Sequence, residues 1–187
     1  MSDLIILGIC GSLRRASHNR MLLRAAQGLT PQGARLEIAE VGDLPLFSED
    51  LEAQGDPAPV VALKERIRAA DAVLIAVVEY NWGVAGPLKN AIDWASRPLA
   101  TNALKQKPVA LVGASTGPWG TTRAQLQMRQ SLAYTDSLAL PQPNLFVPLA
   151  RERFDAAGNL TDEPVREQLR ALLAALVAWT ARVAPKP

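Results

Sequence analysis

Seven consecutive apolar residues, Ala72-Val73-Leu74-Ile75-Ala76-Val77-Val78, constrain the fold of this chain more than any other stretch. Neither alternating face of the run carries a polar residue, so as a strand it must be covered on both sides. A helical pattern leads into it. Pro57 and Pro59 open a segment in which Val60, Leu63, Ile67 and Ala70 share one face, and Asp71 closes it. Another pattern leads away, starting at Pro87, running from Leu88 to Ser96 and stopped by Arg97-Pro98. A doubly buried strand between two helices is the central strand of a parallel α/β sheet.

The rest of the chain repeats that unit. Leu4-Ile5-Ile6-Leu7-Gly8-Ile9 reads as a first buried strand, and Met21 to Gly28 as the helix after it. Ala34 to Ala39 alternates as a second strand, and Gly42 to Leu51 is a long turn-rich segment. Pro108 to Ala114 is a fourth strand, followed by a helix from about Thr121 to Tyr134 whose Thr hydroxyls suit capping. A weaker fifth strand lies within Leu138 to Val147, around Asn144-Leu145-Phe146-Val147. Thr161 to Pro164 starts a last helix bearing Val165, Leu169, Leu172, Leu173 and Leu176, and Pro185-Lys186-Pro187 is expected to fray. The expected architecture is one domain over residues 1–187, an α/β fold with a doubly wound, five-stranded parallel sheet in order 2-1-3-4-5 and helices on both faces.

In that order the loops after strands 1 and 3 face one crevice, where open α/β sheets bind ligands. The first loop, Gly11-Ser12-Leu13-Arg14-Arg15-Ala16-Ser17-His18-Asn19, offers the side chains of Ser12, Ser17 and Asn19, two guanidinium groups and a helix N-terminus. Those are the groups that hold a phosphate. The loop has neither the Lys of a G-x-x-x-x-G-K-[ST] motif nor the three glycines of G-x-G-x-x-G, which points to a single phosphate. The alternative is an ordinary βα loop in which Ser17 or Asn19 caps the helix. After strand 3, Glu79-Tyr80-Asn81-Trp82-Gly83-Val84-Ala85-Gly86 crowds aromatic, amide and glycine residues together, so that Tyr80 or Trp82 could flank a flat ring and Asn81 bond its edge. Packing of Tyr80 and Trp82 in the core is the competing assignment. Ser115-Thr116-Gly117-Pro118-Trp119-Gly120 is a third such loop, converging on the same sheet edge.

Composition removes whole classes of chemistry. With one Cys and one His in 187 residues, a structural zinc site, an iron–sulfur cluster and a disulfide framework are excluded within one chain. A net charge of +2 without a basic block gives no footprint for nucleic acid, and no apolar stretch is long enough for a bilayer. Met-Ser-Asp running into a strand lacks a signal-peptide pattern, so a cytoplasmic protein is expected. Cys10 is expected as a buried inert thiol, the alternative being a thiolate of lowered pKa near the helix N-terminus, and His18 as an exposed loop residue with no essential role, the alternative being added charge near the phosphate.

The motifs resemble those of the flavodoxin-like NAD(P)H-dependent FMN reductases, which include quinone, azo-dye and chromate reductases. The carrying residues are Gly11-Ser12-Leu13-Arg14 with Ser17 and Asn19, and Pro45-Leu46-Phe47 with Asp50-Leu51. Glu79-Tyr80-Asn81 with Gly86, Leu88-Lys89-Asn90-Ala91-Ile92-Asp93-Trp94 and Ser96-Arg97 is the most specific stretch. Gly113-Ala114-Ser115 with Gly117, Gly120, Arg123 and Gln125 completes the set. The resemblance implies that Ser12, Arg14, Ser17 and Asn19 hold the phosphate of FMN. It implies too that Glu79, Tyr80 and Asn81 wrap the isoalloxazine, largely through backbone groups, with Ser115 and Gly117 lining the other side. It further implies hydride transfer from NADPH or NADH to flavin N5, then reduction of a small-molecule acceptor such as a quinone, chromate, an azo compound or free flavin. A homodimer or homotetramer is implied, and no catalytic side chain is required, because the cofactor carries the chemistry. Val78 stands where the family usually has Pro, and Gly83 and Ala85 where it often has Ser and Pro, which alters the backbone freedom of the ring-side loop. Two other classes remain in play: a flavodoxin-type electron carrier that does not use NAD(P)H, and a flavin-free interaction or sensor relative. Arg14, Arg15 and Arg97 could each contact a 2′-phosphate or simply be solvated.

Overall fold

A computed structural model describes residues 3–183; the expected fraying of Pro185-Lys186-Pro187 lies outside them. Strand β1 (Leu4–Cys10) sits between β2 (Ala34–Ala39) and β3 (Ala72–Ala76), and β6 (Pro108–Ala114) pairs with the far side of β3, all in parallel. Helices α1 (His18–Leu29), α3 (Ala58–Ala69), α4 (Gly86–Ala95), α5 (Thr122–Tyr134) and α6 (Glu163–Val183) cover the two faces. Strand residues alternate between two cores, as the pleat requires. Ile6, Leu74 and Val112 pack with Leu22, Leu23, Leu169 and Leu173 under α1 and α6. Leu7, Ile9, Val73 and Ile75 pack with Leu63, Ile67, Leu88, Ile92 and Met128 under α3, α4 and α5. The expected sheet order is present.

Five local expectations are corrected. The central strand stops at Ala76, although Val77 N–H still donates to Val112 O at 2.8 Å. Beyond it, Glu79–Tyr80 (β4) and Gly83–Val84 (β5) form a small antiparallel hairpin in place of an open loop. The fifth sheet position is shared by β7 (Leu138–Ala139) and β8 (Leu145–Val147), each pairing with β6. Pro141 and Pro143 lie between them and have no N–H to offer a continuous ladder. Thr121 does precede α5, but in left-handed backbone (φ 68°) and without capping it; its hydroxyl accepts instead from Gln125 Nε2 at 3.1 Å. Finally, the turn-rich segment before α3 contains a one-turn helix, α2 (Glu49–Glu52), capped by Ser48.

The strands β1, β3, β6 and β8, which lead into the candidate loops, end at the same edge of this sheet. The loops after β1, β3, β6 and β8 therefore meet in space, although their residues are separated by up to about 140 positions in sequence.

Candidate functional site

The β1–α1 loop is held tightly against the sheet. A Cβ on Gly11 would lie 2.8 Å from Cβ of Leu88, so only glycine lets the backbone pass over α4 here. Ser12, buried, accepts from Arg14 N–H through its Oγ at 3.3 Å. Ser17 is the N-cap of α1, with extended backbone and an Oγ that accepts from Arg20 N–H at 3.4 Å. Asn19 is buried, and its side-chain amide bonds both backbone groups of Ala114, each at 2.8 Å. It thus fastens the first turn of α1 to the end of β6, and what it offers a ligand is chiefly backbone N–H at the helix start. Arg20, which sequence reasoning passed over, braces the loop by pairing with Glu40 at 2.7 Å and reaching Ser12 O at 3.4 Å.

The ring-side loop is the β4–β5 hairpin. Its turn residues Asn81 (φ 49°) and Trp82 (φ 63°) are both left-handed, the requirement of a two-residue turn that matches strand twist. Glu79 anchors the hairpin: Oε2 accepts from Ala124 N–H at 3.0 Å in the first turn of α5, and Oε1 lies 3.6 Å from Arg123. Gln127 adds a second tie, accepting from Val84 N–H at 3.2 Å and donating to Trp82 O at 3.4 Å. The guanidinium of Arg123 lies over both indoles, 4.4 Å from the Trp82 ring centre and 4.9 Å from that of Trp119. Tyr80 and Trp82 are exposed, so they do not serve the core.

The third loop is joined to the segment after β8. Ser115 N–H donates to Val147 O, Ala150 N–H to Ser115 O, and Leu149 N–H to Gly117 O, at 2.9–3.1 Å. Gly120 (φ 55°) completes this approach, since a Cβ there would lie 2.7 Å from the Phe146 backbone. Within the loop, Gly117 N–H donates to Ser115 Oγ at 3.1 Å.

These elements enclose a cleft of about 270 Å³. Ser12, Arg14, Ser17, Asn19, Glu79, Tyr80 and Ser115 all line it, with Val78, Ala114 and Thr116. Asn81 sits at the hairpin tip and Gly117 behind Ser115, and neither is on its wall. Two further residues are. His18 approaches Arg14 Nη2 through Nδ1 at 3.4 Å, and Arg151 enters from the turn after β8. Burial, then the charges of Arg14 and Arg151, hold His18 below the usual imidazole range. Burial pushes the Cys10 thiol up, leaving it inert behind the loop. One end of the cleft thus gathers hydroxyls, guanidiniums and a helix N-terminus, and the other offers an exposed phenol and a backbone hairpin. That donor set fits a phosphomonoester joined to a planar ring. Among the described residues no group of His, Cys, Asp and Glu is placed to hold a metal, and no helix is long and apolar enough to cross a membrane.

Known proteins share this arrangement of sequence and fold. The chain is 46% identical over 181 residues to an NAD(P)H-dependent FMN reductase of Pseudomonas aeruginosa, covering 97% of each. It is 38% identical to a 2-hydroxy-1,4-benzoquinone reductase of a Burkholderia species, over 91% of this chain and 93% of that one. The solved structure of FerB, a flavoenzyme NAD(P)H:(acceptor) oxidoreductase from Paracoccus denitrificans, superimposes with a TM-score of 0.87 at 35% identity, covering 96% of this chain and 98% of that one. The family model of the NADPH-dependent FMN reductases matches residues 4–152. With the phosphate-type loop and the Glu79-Tyr80-Asn81 hairpin brought to one cleft, the chain belongs to the NADPH-dependent FMN reductase family.

Proposed function

We propose that the protein is an FMN-dependent NAD(P)H oxidoreductase that passes electrons to a quinone-type acceptor, its chain acting as one flavin-binding domain. The observation that carries this reading is the single cleft with a cationic, hydroxyl-rich end and an aromatic end. The phosphate falls to Ser12, Ser17, Arg14 and the first-turn N–H groups of α1, where the helix dipole adds positive potential. Asn19 serves by holding that turn in place through Ala114. The ring would be held by the wall that Glu79, Tyr80 and Ser115 form, with Asn81 in the hairpin turn and Gly117, whose N–H donates to Ser115 Oγ, shaping the loops that carry them. Bound FMN supplies hydride acceptance at N5 and electron delivery to the acceptor. The protein's part is orientation and charge. Glu79 spends its carboxylate on α5, keeping the hairpin rigid, and backbone N–H groups stabilise negative charge that develops on the ring.

A cytoplasmic homodimer or homotetramer is part of the proposal. The homo-oligomer is supported by a groove of about 420 Å³ between α4 and α5, in which Phe47, Ile92, Leu99 and Tyr134 are rimmed by polar and charged side chains such as Lys89, Asp93, Arg97 and Gln130. Tyr134 is 75% exposed, and so is Leu46, next to Phe47 in the chain, at 82%, which suits large apolar side chains covered by a second copy.

The test is a visible absorption spectrum of the purified protein supplied with FMN and freed of excess, before and after anaerobic NADPH and then NADH. Flavin bands that bleach with either nucleotide and return on adding a quinone are expected. Retained flavin that neither nucleotide bleaches would make the protein an electron carrier. No retained flavin at any FMN concentration would overturn the assignment of the cleft.

A further inference from the structure

The cleft contains a guanidinium supplied by the last βα connection, between β8 and α6. Arg151 belongs to the 3₁₀ turn Ala150–Glu152 that follows β8, more than 130 residues from the loop it faces. The backbone of that turn is fixed on both sides. Leu149 and Ala150 donate to the Gly117 and Ser115 carbonyls, the Ala150 side chain is fully buried, and Arg153 pairs with Asp162 at 2.6 Å. A side chain projecting from so restrained a turn loses little further backbone freedom when it meets a ligand.

His18 lies close to both cations. Its Nδ1 is 3.4 Å from Arg14 Nη2, and its ring packs on Phe154 with centroids 5.6 Å apart. The charged groups that face it are Arg14 from its own loop and Arg151 from the turn. Glu79, the one carboxylate on the cleft wall, is committed to the α5 N-terminus and Arg123. Two guanidiniums and an imidazole collected without a facing carboxylate make a wall that is completed by an anion from outside.

We infer that Arg151 closes the phosphate end of the cleft opposite Arg14, and that His18 takes up a proton from solvent as a flavin's phosphate dianion enters. This rests on the reading of the cleft as the FMN site. Before binding, burial and the two arginines keep His18 neutral at pH values near 7. The dianion cancels that repulsion and adds an attractive charge, so the imidazolium becomes the favoured form. Cofactor affinity is then coupled to pH, and FMN is distinguished from riboflavin by groups on two distant segments.

The experiment is calorimetric titration of the full-length protein, freed of flavin, with FMN and with riboflavin. It is done at pH 7.5 in two buffers of different ionisation heat, so that protons taken up are counted. FMN is expected to take up a substantial fraction of a proton and riboflavin none. Arg151→Gln should weaken FMN binding roughly tenfold and leave riboflavin unchanged, with Arg151→Lys in between. His18→Asn should abolish the proton uptake while FMN remains preferred. If Arg151→Gln leaves FMN affinity unchanged, or weakens both ligands equally, the role of Arg151 is overturned. If uptake persists in His18→Asn, the role of His18 is. Wild-type protein that binds FMN no more tightly than riboflavin would instead overturn the cleft assignment itself.

Discussion

Asn19 and Ala114, 95 residues apart, are joined by a reciprocal pair of 2.8 Å hydrogen bonds between one side-chain amide and one residue's backbone. The pair is buried at the point where α1 begins and β6 ends, so it sets the spacing between two walls of the cleft. Asn19→Ala leaves an N–H and a C=O of Ala114 without partners, a loss of about 2–4 kcal/mol. Urea unfolding of the flavin-free protein should show that loss in full. A variant as stable as wild type would mean that Asn19 acts on the ligand and not on the frame.

Arg14 presents the opposite case. It is exposed, and its polar contacts are with Ser12 Oγ through its own backbone and with His18. Arg14→Ala should therefore leave the unfolding midpoint of the flavin-free protein unchanged. FMN affinity should fall ten- to a hundredfold, since a hydrogen bond to a charged group contributes about 1.5–3 kcal/mol. Fluorescence quenching of added FMN measures it, and equal affinity in the two proteins would remove Arg14 from the phosphate site.

Glu79 ties the β4–β5 hairpin to the α5 N-terminus through Ala124 N–H. Removing the carboxylate in Glu79→Ala takes away both an N-terminal acceptor and a favourable interaction with the helix dipole, together about 1–2 kcal/mol. The effect should be local as well as global. Amide exchange at residues 79–84 should accelerate beyond what the loss of overall stability accounts for. Uniform acceleration across the chain would mean that the hairpin holds without this anchor.

What could be read from residue order was the part that rests on local pattern. Continuous apolar runs such as Ala72 to Val78 identify doubly buried strands, and the Pro57 and Pro87 helix starts give the βα alternation of a doubly wound parallel sheet. Ser12, Arg14 and Ser17 were legible as cleft residues because the β1–α1 loop that carries them is contiguous. The hairpin was not, because its turn is Asn81-Trp82 where the recognisable signal is Asn-Gly, and the left-handed Trp82 is held by Arg123 and Gln127 from another element. Arg151 was invisible for a similar reason. Its turn has no motif, and it reaches the cleft only because the β6 and β8 loops bond to each other. Asn19 was found, but its partner Ala114 is a backbone group that no side-chain pattern announces.

The only His in the chain makes the pH response simple to assign. In the flavin-free protein His18 holds its proton less tightly than in the unfolded chain, because of burial and the charges of Arg14 and Arg151. The unfolded chain therefore binds the extra proton near and below the ordinary imidazole value of about 6.5, and stability falls as pH drops through that range. Asp155 and Asp162 are shifted the other way relative to their charge: hydrogen bonds hold them ionised, so their contribution is lost only as pH falls below the ordinary carboxylate range. Between pH 5 and pH 7.5 the slope thus belongs to His18. Urea midpoints of the flavin-free protein should rise across that interval, and His18→Phe, which keeps a ring against Phe154, should flatten the rise. The same slope in both proteins would assign the response to a group other than His18 and would remove the neutral imidazole from the flavin-free cleft.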